Sequence, residues 1–90
     1  VQASEDGVTN DVPGEVRRLI LKWVDVAEDR LTLNAALIDL GADSLAMMDL
    51  LLDVEATFEI GIPDDEAAKL LTVGDAIGAV ENLVRAQRRP

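Results

Sequence analysis

Few side chains in this sequence are equipped for covalent chemistry, and those few lack partners. The chain has no His and no Cys, which removes the Ser–His and Cys–His couples of nucleophilic catalysis. Lys22 and Lys69 are its remaining amine bases. Carboxylates abound, but the densest group, Asp64, Asp65 and Glu66, follows Pro63 where a helix would begin, and acids there serve as caps and dipole partners. No window alternates acids around a Gly ahead of a bidentate Glu, as a calcium loop does, and no Gly-rich phosphate loop is present. The sequence therefore predicts no catalytic residue and no metal site. One hydroxyl stands out. In "LGADSLAMMDLLL", residues 40–52, Gly41, Asp43 and Ser44 come directly before a long apolar run.

That run belongs to the second of four predicted helices. The first spans about 13–29, with Pro13 near its start and Val16, Leu19, Ile20, Trp23, Val24 and Ala27 on one face. A long loop follows, crossing the core on Leu33, Leu37 and Leu40. The second helix runs from about 44 to 59, capped by Asp43 or Ser44, and stops before "GIP", where Gly61 and Pro63 oppose helix. A short third helix covers about 64–70. Thr72 and Asp75 make a T-x-x-D start for the fourth, which carries Val73, Ala76, Ile77, Val80, Leu83 and Val84 on one face. The fold class is all-α: a four-helix bundle with a long loop between helices one and two and a short third helix. Residues 1–11 read as a disordered lead-in, 12–86 as the folded domain, and 87–90 as a basic tail.

Composition narrows the function further. Ninety residues make one small domain that buries roughly 60–65% of its unfolded surface. Absence of Cys means no disulfide framework and fits a reducing compartment, so a cytoplasmic location is expected. No apolar run approaches the roughly 20 residues of a membrane span, and no basic-then-apolar start suggests a signal peptide. A start at Val1 rather than Met suggests a trimmed chain or a piece of something longer. The formal charge is −10. From Leu31 through Ala68 there are nine acids and no Lys or Arg. Such a field repels nucleic acid and anionic lipid and steers basic protein surfaces toward the middle of the chain, although acidic surface also serves solubility alone.

Two features of helix two admit two readings each. Met47, Leu50, Leu51, Val54 and Phe58 follow helical spacing toward the core, while Leu45, Met48 and Leu52 fall on a neighbouring face among Asp49 and Glu55. That second stripe is either part of a wide buried face or an exposed seam for docking. Ser44 is either a simple cap or, at a helix N-terminus where free N–H groups favour phosphate, the anchor of a phosphate-linked prosthetic arm.

The ordered set "DLGADSLAMMDLLLDVEATFEIGIPDDEAAKLLTVGDAI", residues 39–77, resembles the acyl carrier proteins, most closely the discrete carriers of bacterial type II systems. The resemblance implies that Ser44, within the Asp43–Ser44–Leu45 triplet, is esterified by 4′-phosphopantetheine from coenzyme A through a phosphopantetheinyl transferase. It implies a carrier of acyl thioesters, not an enzyme, that acts as a monomer. Leu45, Met48, Asp49, Leu52 and Glu55 become docking residues for synthase, ligase or acyltransferase partners with basic patches. Met47, Leu51, Ile62, Ala67, Leu70 and Ile77 become the lining of an acyl pocket. No nucleic acid and no membrane insertion are implied.

The chain departs from the family pattern at Ala46 and Ala56, where helix-two acids are usual, which points to a dedicated lipid or polyketide pathway. Trp23 is uncommon at its position and reads as a core residue. An aminoacyl or peptidyl carrier, a domain cut from a modular synthase, and an unmodified acidic adaptor stay open.

Overall fold

A computed structural model describes residues 11–87. The segment 1–10 and the basic residues Arg88 and Arg89 lie outside the described residues, and with them most of the expected lead-in and tail. The described residues hold four α-helices: α1 (Val12–Trp23), α2 (Ser44–Phe58), α3 (Asp64–Ala67) and α4 (Val73–Gln87). Short 3-10 turns at Glu28–Arg30 and Ile38–Leu40 punctuate the α1–α2 connection. Among the described residues there is no named strand.

Asp11 starts α1, its carboxylate accepting from the Gly14 amide at 3.1 Å. The helix is shorter than the predicted 13–29. It ends at Trp23 because Val24 turns to extended backbone (φ −122°, ψ 125°) while its N–H still donates to the Ile20 carbonyl. Val24 and Val26 are β-branched and favour that exit. Val24 remains buried, so the chain leaves the helix to bring Leu31 into the core. The Arg17 guanidinium donates to the Leu31 carbonyl and fixes that return.

Helix α1 packs on both α2 and α4. The core lies between them, built from Val16, Leu19, Ile20, Leu50, Val54, Phe58, Val73, Ile77 and Val80. Leu37 and Leu40 are buried as expected, but Leu33 is exposed. Its carbonyl instead accepts from the Gly74 amide at 2.9 Å. Trp23 is likewise not a core residue: it is 37% exposed, and its indole N–H donates to Asp53 at 2.8 Å.

The connection after α2 is held from both sides. Helix α2 ends on Glu59, in left-handed backbone with φ 57°, so the stop comes two residues before Gly61, which does not take positive φ. Gln87, the last residue of α4, then clamps Gly61, accepting from its amide and donating to its carbonyl, each at 2.9 Å. The predicted third helix of 64–70 contracts to Asp64–Ala67. Past Ala67 the chain turns, Leu70 is buried, and Leu71 and Thr72 pair with the long loop. The Leu37 amide donates to the Leu71 carbonyl at 2.9 Å and the Val73 amide to Ala35 at 3.0 Å. Thr72 and Asp75 form the expected reciprocal cap: Thr72 Oγ1 accepts from the Asp75 amide and Asp75 Oδ2 from the Thr72 amide, both at 3.0 Å.

Candidate functional site

The entrance to α2 is built by its neighbours in sequence. Gly41 sits at φ 100°, a left-handed conformation that a Cβ would penalise, and this brings Asp43 round to the helix axis. Asp43 is the cap. Its Oδ1 accepts from the Ala46 amide at 2.9 Å, and its carbonyl takes the first intrahelical bond from the Met47 amide at 2.9 Å. Ser44 is therefore the first helical residue, exposed, with a hydroxyl that has no hydrogen-bond partner among the described residues. The amides of Ser44 and Leu45 precede that first intrahelical bond, so they belong to the positive end of the helix. This corner offers an uncommitted nucleophilic oxygen beside N–H groups suited to a phosphate.

An open cleft of about 1030 Å³ begins at Ser44. Ser44 and Asp43 contribute the polar side chains of its lining; the others are apolar residues and Gly41, from the long loop, α2 and the α3–α4 segment. Behind it, within the core, is a separate void of about 20 Å³, room for about one water molecule. Five of the six expected pocket residues line one or both of these spaces. Met47, Leu51 and Leu70 line both, Ala67 lines the cleft, Ile62 lines the inner void, and Ile77 lines neither. Ile77 is buried in the core.

The second stripe on α2 is exposed. Leu45, Met48 and Leu52 stand 68%, 61% and 60% open, with Asp49 half-buried beside them. Glu55 has an internal task, since its Oε2 accepts from the Ile62 amide at 2.8 Å. Asp53 is also engaged: its Oδ2 receives both the Lys22 ammonium and the Trp23 indole at 2.8 Å, while Oδ1 accepts from Thr57 at 3.3 Å. The Lys22 bond foremost, then that of Trp23, holds the Asp53 carboxyl below its ordinary value.

Reading the sequence missed the cleft's outer wall, Ala36, Leu37, Ile38, Ala42, Ala68 and Leu71. Only the T-x-x-D cap fixed Thr72, and no local signal in 33–38 announces that it pairs there with Ala36. Among the described residues no cluster of His, Cys, Asp or Glu is placed to hold a metal ion, and no helix is long and apolar enough to cross a membrane.

Comparison with known proteins bears on the same residues. The model of a family described as "Phosphopantetheine attachment site" matches residues 14–80. The chain is 41% identical over 70 residues to an acyl carrier protein of Campylobacter hominis, covering 77% of this chain and 89% of that protein. It is 39% identical over 75 residues to one of Akkermansia muciniphila, with coverage of 82% and 94%. A third, from a Sulfurovum species, is 39% identical over 70 residues, with coverage of 77% and 93%.

Proposed function

From the acyl carrier proteins, the family to which this chain belongs, we propose that Ser44 is the residue esterified by 4′-phosphopantetheine. The observation that carries this reading is the division of labour at the start of α2: Asp43 caps the helix and leaves the Ser44 hydroxyl exposed and unbonded. A chain of this family carries acyl groups, and the bound group supplies the terminal thiol that holds them as thioesters. This chain's own residues do the rest. The Ser44 and Leu45 amides face a phosphate with the positive end of the helix. Asp43 keeps that end wound. Met47, Leu51, Ala67 and Leu70 offer apolar cover beginning at the attachment point, with Ile62 and Ile77 deeper in the fold.

Partners meet the chain on α2. Leu45, Met48 and Leu52 supply exposed apolar contact, Asp49 supplies charge, and Glu55 acts through its hold on Ile62. The partners are a phosphopantetheinyl transferase and synthase, ligase or acyltransferase enzymes bearing basic patches. In this reading the chain carries cargo, and the chemistry falls to its partners. The same reading puts it in the cytoplasm, where a prosthetic thiol stays reduced, and Ala46 and Ala56 suit a dedicated pathway more than a housekeeping one.

The test is to incubate the protein with coenzyme A and a broad-specificity phosphopantetheinyl transferase and then weigh it. Wild type gains one phosphopantetheine and Ser44→Ala gains nothing. No gain on wild type, or an equal gain on Ser44→Ala, rejects the assignment.

A further inference from the structure

Residues 61–69, which include α3, form a flap on the body of the fold. Each of them is exposed or half-buried, and the segment is anchored at its two ends by Ile60 and Leu70, both buried. Helix α3 buries none of its residues and packs extensively on no other helix. A stretch with so few buried apolar contacts belongs to the part of a fold that opens at least cost. It nevertheless shapes the site, because Ala67 and Ala68 line the cleft that begins at Ser44.

Among the described residues, the hydrogen bonds that tie the flap to other helices come from two side chains. Glu55 Oε2 accepts from the Ile62 amide at 2.8 Å. Gln87 does more: its Oε1 accepts from the Gly61 amide and its Nε2 donates to the Gly61 carbonyl, each at 2.9 Å. One side chain thus satisfies both backbone groups of the residue at the root of the flap. It comes from the last residue of α4, 26 positions along the chain. Two residues before Gly61, Glu59 holds left-handed backbone at φ 57°, which a non-glycine residue adopts at a cost, so release of Gly61 lets the connector relax. Both Gln87 bonds are exposed. The rotamer freedom that a Gln side chain gives up offsets much of what two such bonds contribute. The hold is light.

We propose that Gln87 is a latch: the last turn of α4 sets how readily the 61–69 flap, and with it part of the cleft wall, leaves the body of the fold. Glu55 holds the same root from α2, and the two contacts act together. This control is exerted away from Ser44 and does not depend on what is attached there.

Amide hydrogen exchange of the full chain, followed by NMR, tests the latch. The Ala67 and Ala68 amides donate within α3 and its entry, to Pro63 and Asp64. An isolated turn does not persist in water, so their exchange reports departure of the flap. In wild type they should exchange faster than the core amides of Ile20 and Val80, and with weaker dependence on urea. Gln87→Ala should raise exchange at Ala67 and Ala68 about fivefold, the factor that one typical hydrogen bond is worth. Glu55→Ala should act in the same direction, whereas Glu55→Gln keeps an acceptor for the Ile62 amide and should match wild type. Gln87 is exposed, so circular dichroism of Gln87→Ala should match wild type. Exchange at Ala67 and Ala68 with the rate and urea dependence of the core would show that no flap opens. Equal rates in wild type and Gln87→Ala would show that Gln87 holds nothing. A rise confined to the Gly61 amide, which Gln87 bonds directly, would show a local contact with no hold on α3. Any of these three results would overturn the latch.

Discussion

Removing the Asp43 carboxylate and removing the Ser44 hydroxyl should have opposite consequences, although the two residues are adjacent. Asp43 satisfies the Ala46 amide at 2.9 Å. Replacing such a cap by Ala costs about 1 kcal/mol, within a range of about 0.5–2, and loss of a negative charge at the helix start adds about 0.3–1 kcal/mol. Asp43→Ala should therefore destabilise the fold by about 1.5 kcal/mol. In a domain of this size each kcal/mol moves the melting temperature by about 4–8 °C, so the expected loss is about 6–12 °C. Asp43→Asn keeps a capping oxygen and gives up the charge, so its loss should stay below about 1 kcal/mol.

Ser44→Ala removes a hydroxyl that holds nothing in the fold and puts a better helix former at the first helical position. Its melting temperature should be unchanged or slightly raised, by at most about 0.5 kcal/mol of stability. The assay pairs thermal melts followed by circular dichroism with mass spectrometry after treatment with transferase and coenzyme A. Asp43→Asn should melt near wild type and still gain the prosthetic mass, whereas Ser44→Ala should melt near wild type and gain none. A Ser44→Ala variant that melts as low as Asp43→Ala would refute the reasoning, because Ser44 would then be serving as the cap.

Other perturbations test other parts of the structure. Glu59 holds left-handed backbone at φ 57°, a conformation that costs a non-glycine residue about 1 kcal/mol, so Glu59→Gly should stabilise the protein in urea melts by roughly 0.5–1 kcal/mol; a destabilised variant would contradict the helix end described above. Asp53 has its carboxyl lowered by Lys22 and then Trp23 from the ordinary 3.8. That stability is therefore complete above the unfolded value and is lost as pH falls below 3.8 through the folded one, so Asp53→Asn should flatten the acid limb of a stability–pH profile in that window. An unaltered acid limb would contradict the pairing. Electrostatic steering of partners predicts that the second-order rate of modification by the transferase falls as salt shortens the Debye length to about 10 Å near 0.1 M; a rate flat across that range would reject steering.

The helices that bury a clear stripe were legible because periodicity and capping agreed on them. Val73, Ala76, Ile77 and Val80 follow the helical period behind a T-x-x-D cap, and α4 begins where that cap puts it. The errors fall where tertiary contacts overrule the local pattern. Trp23 has the spacing of a core residue, but helix α1 ends on it and its indole has a carboxylate to bond 30 positions away, which no local window reveals. The continuation of helix three to residue 70 looked sound on composition, yet Leu71 and Thr72 are taken by the long loop. At the site itself Asp43 and Ser44 were separable as types but not as roles, since either can cap a helix. Only the position of the carboxylate at Ala46 decides between them.

The same geometry changes what the acidity of α2 means. Of its acids, Asp53 is held by Lys22 and Trp23, and Glu55 is turned onto the Ile62 amide. Asp43, just ahead of the helix, is spent on its cap. Ala46 and Ala56 contribute no charge. Asp49 is left as the carboxylate of α2 with no internal task in the structure, set among Leu45, Met48 and Leu52, which are all more than half exposed. On the docking proposed above, the contact face of α2 would be chiefly apolar, and the negative field that draws partners would be reinforced by Asp39 in the loop and by Asp64 and Asp65 on α3, where Glu66 faces Lys69 at 4.0 Å. Charge at the flanks governs encounter over a Debye length, whereas apolar contact at the centre governs how long the complex lasts. A sequence read only for its net charge of −10 merges these two effects. The structure separates them, because the hydrogen bonds show which carboxylates are already occupied.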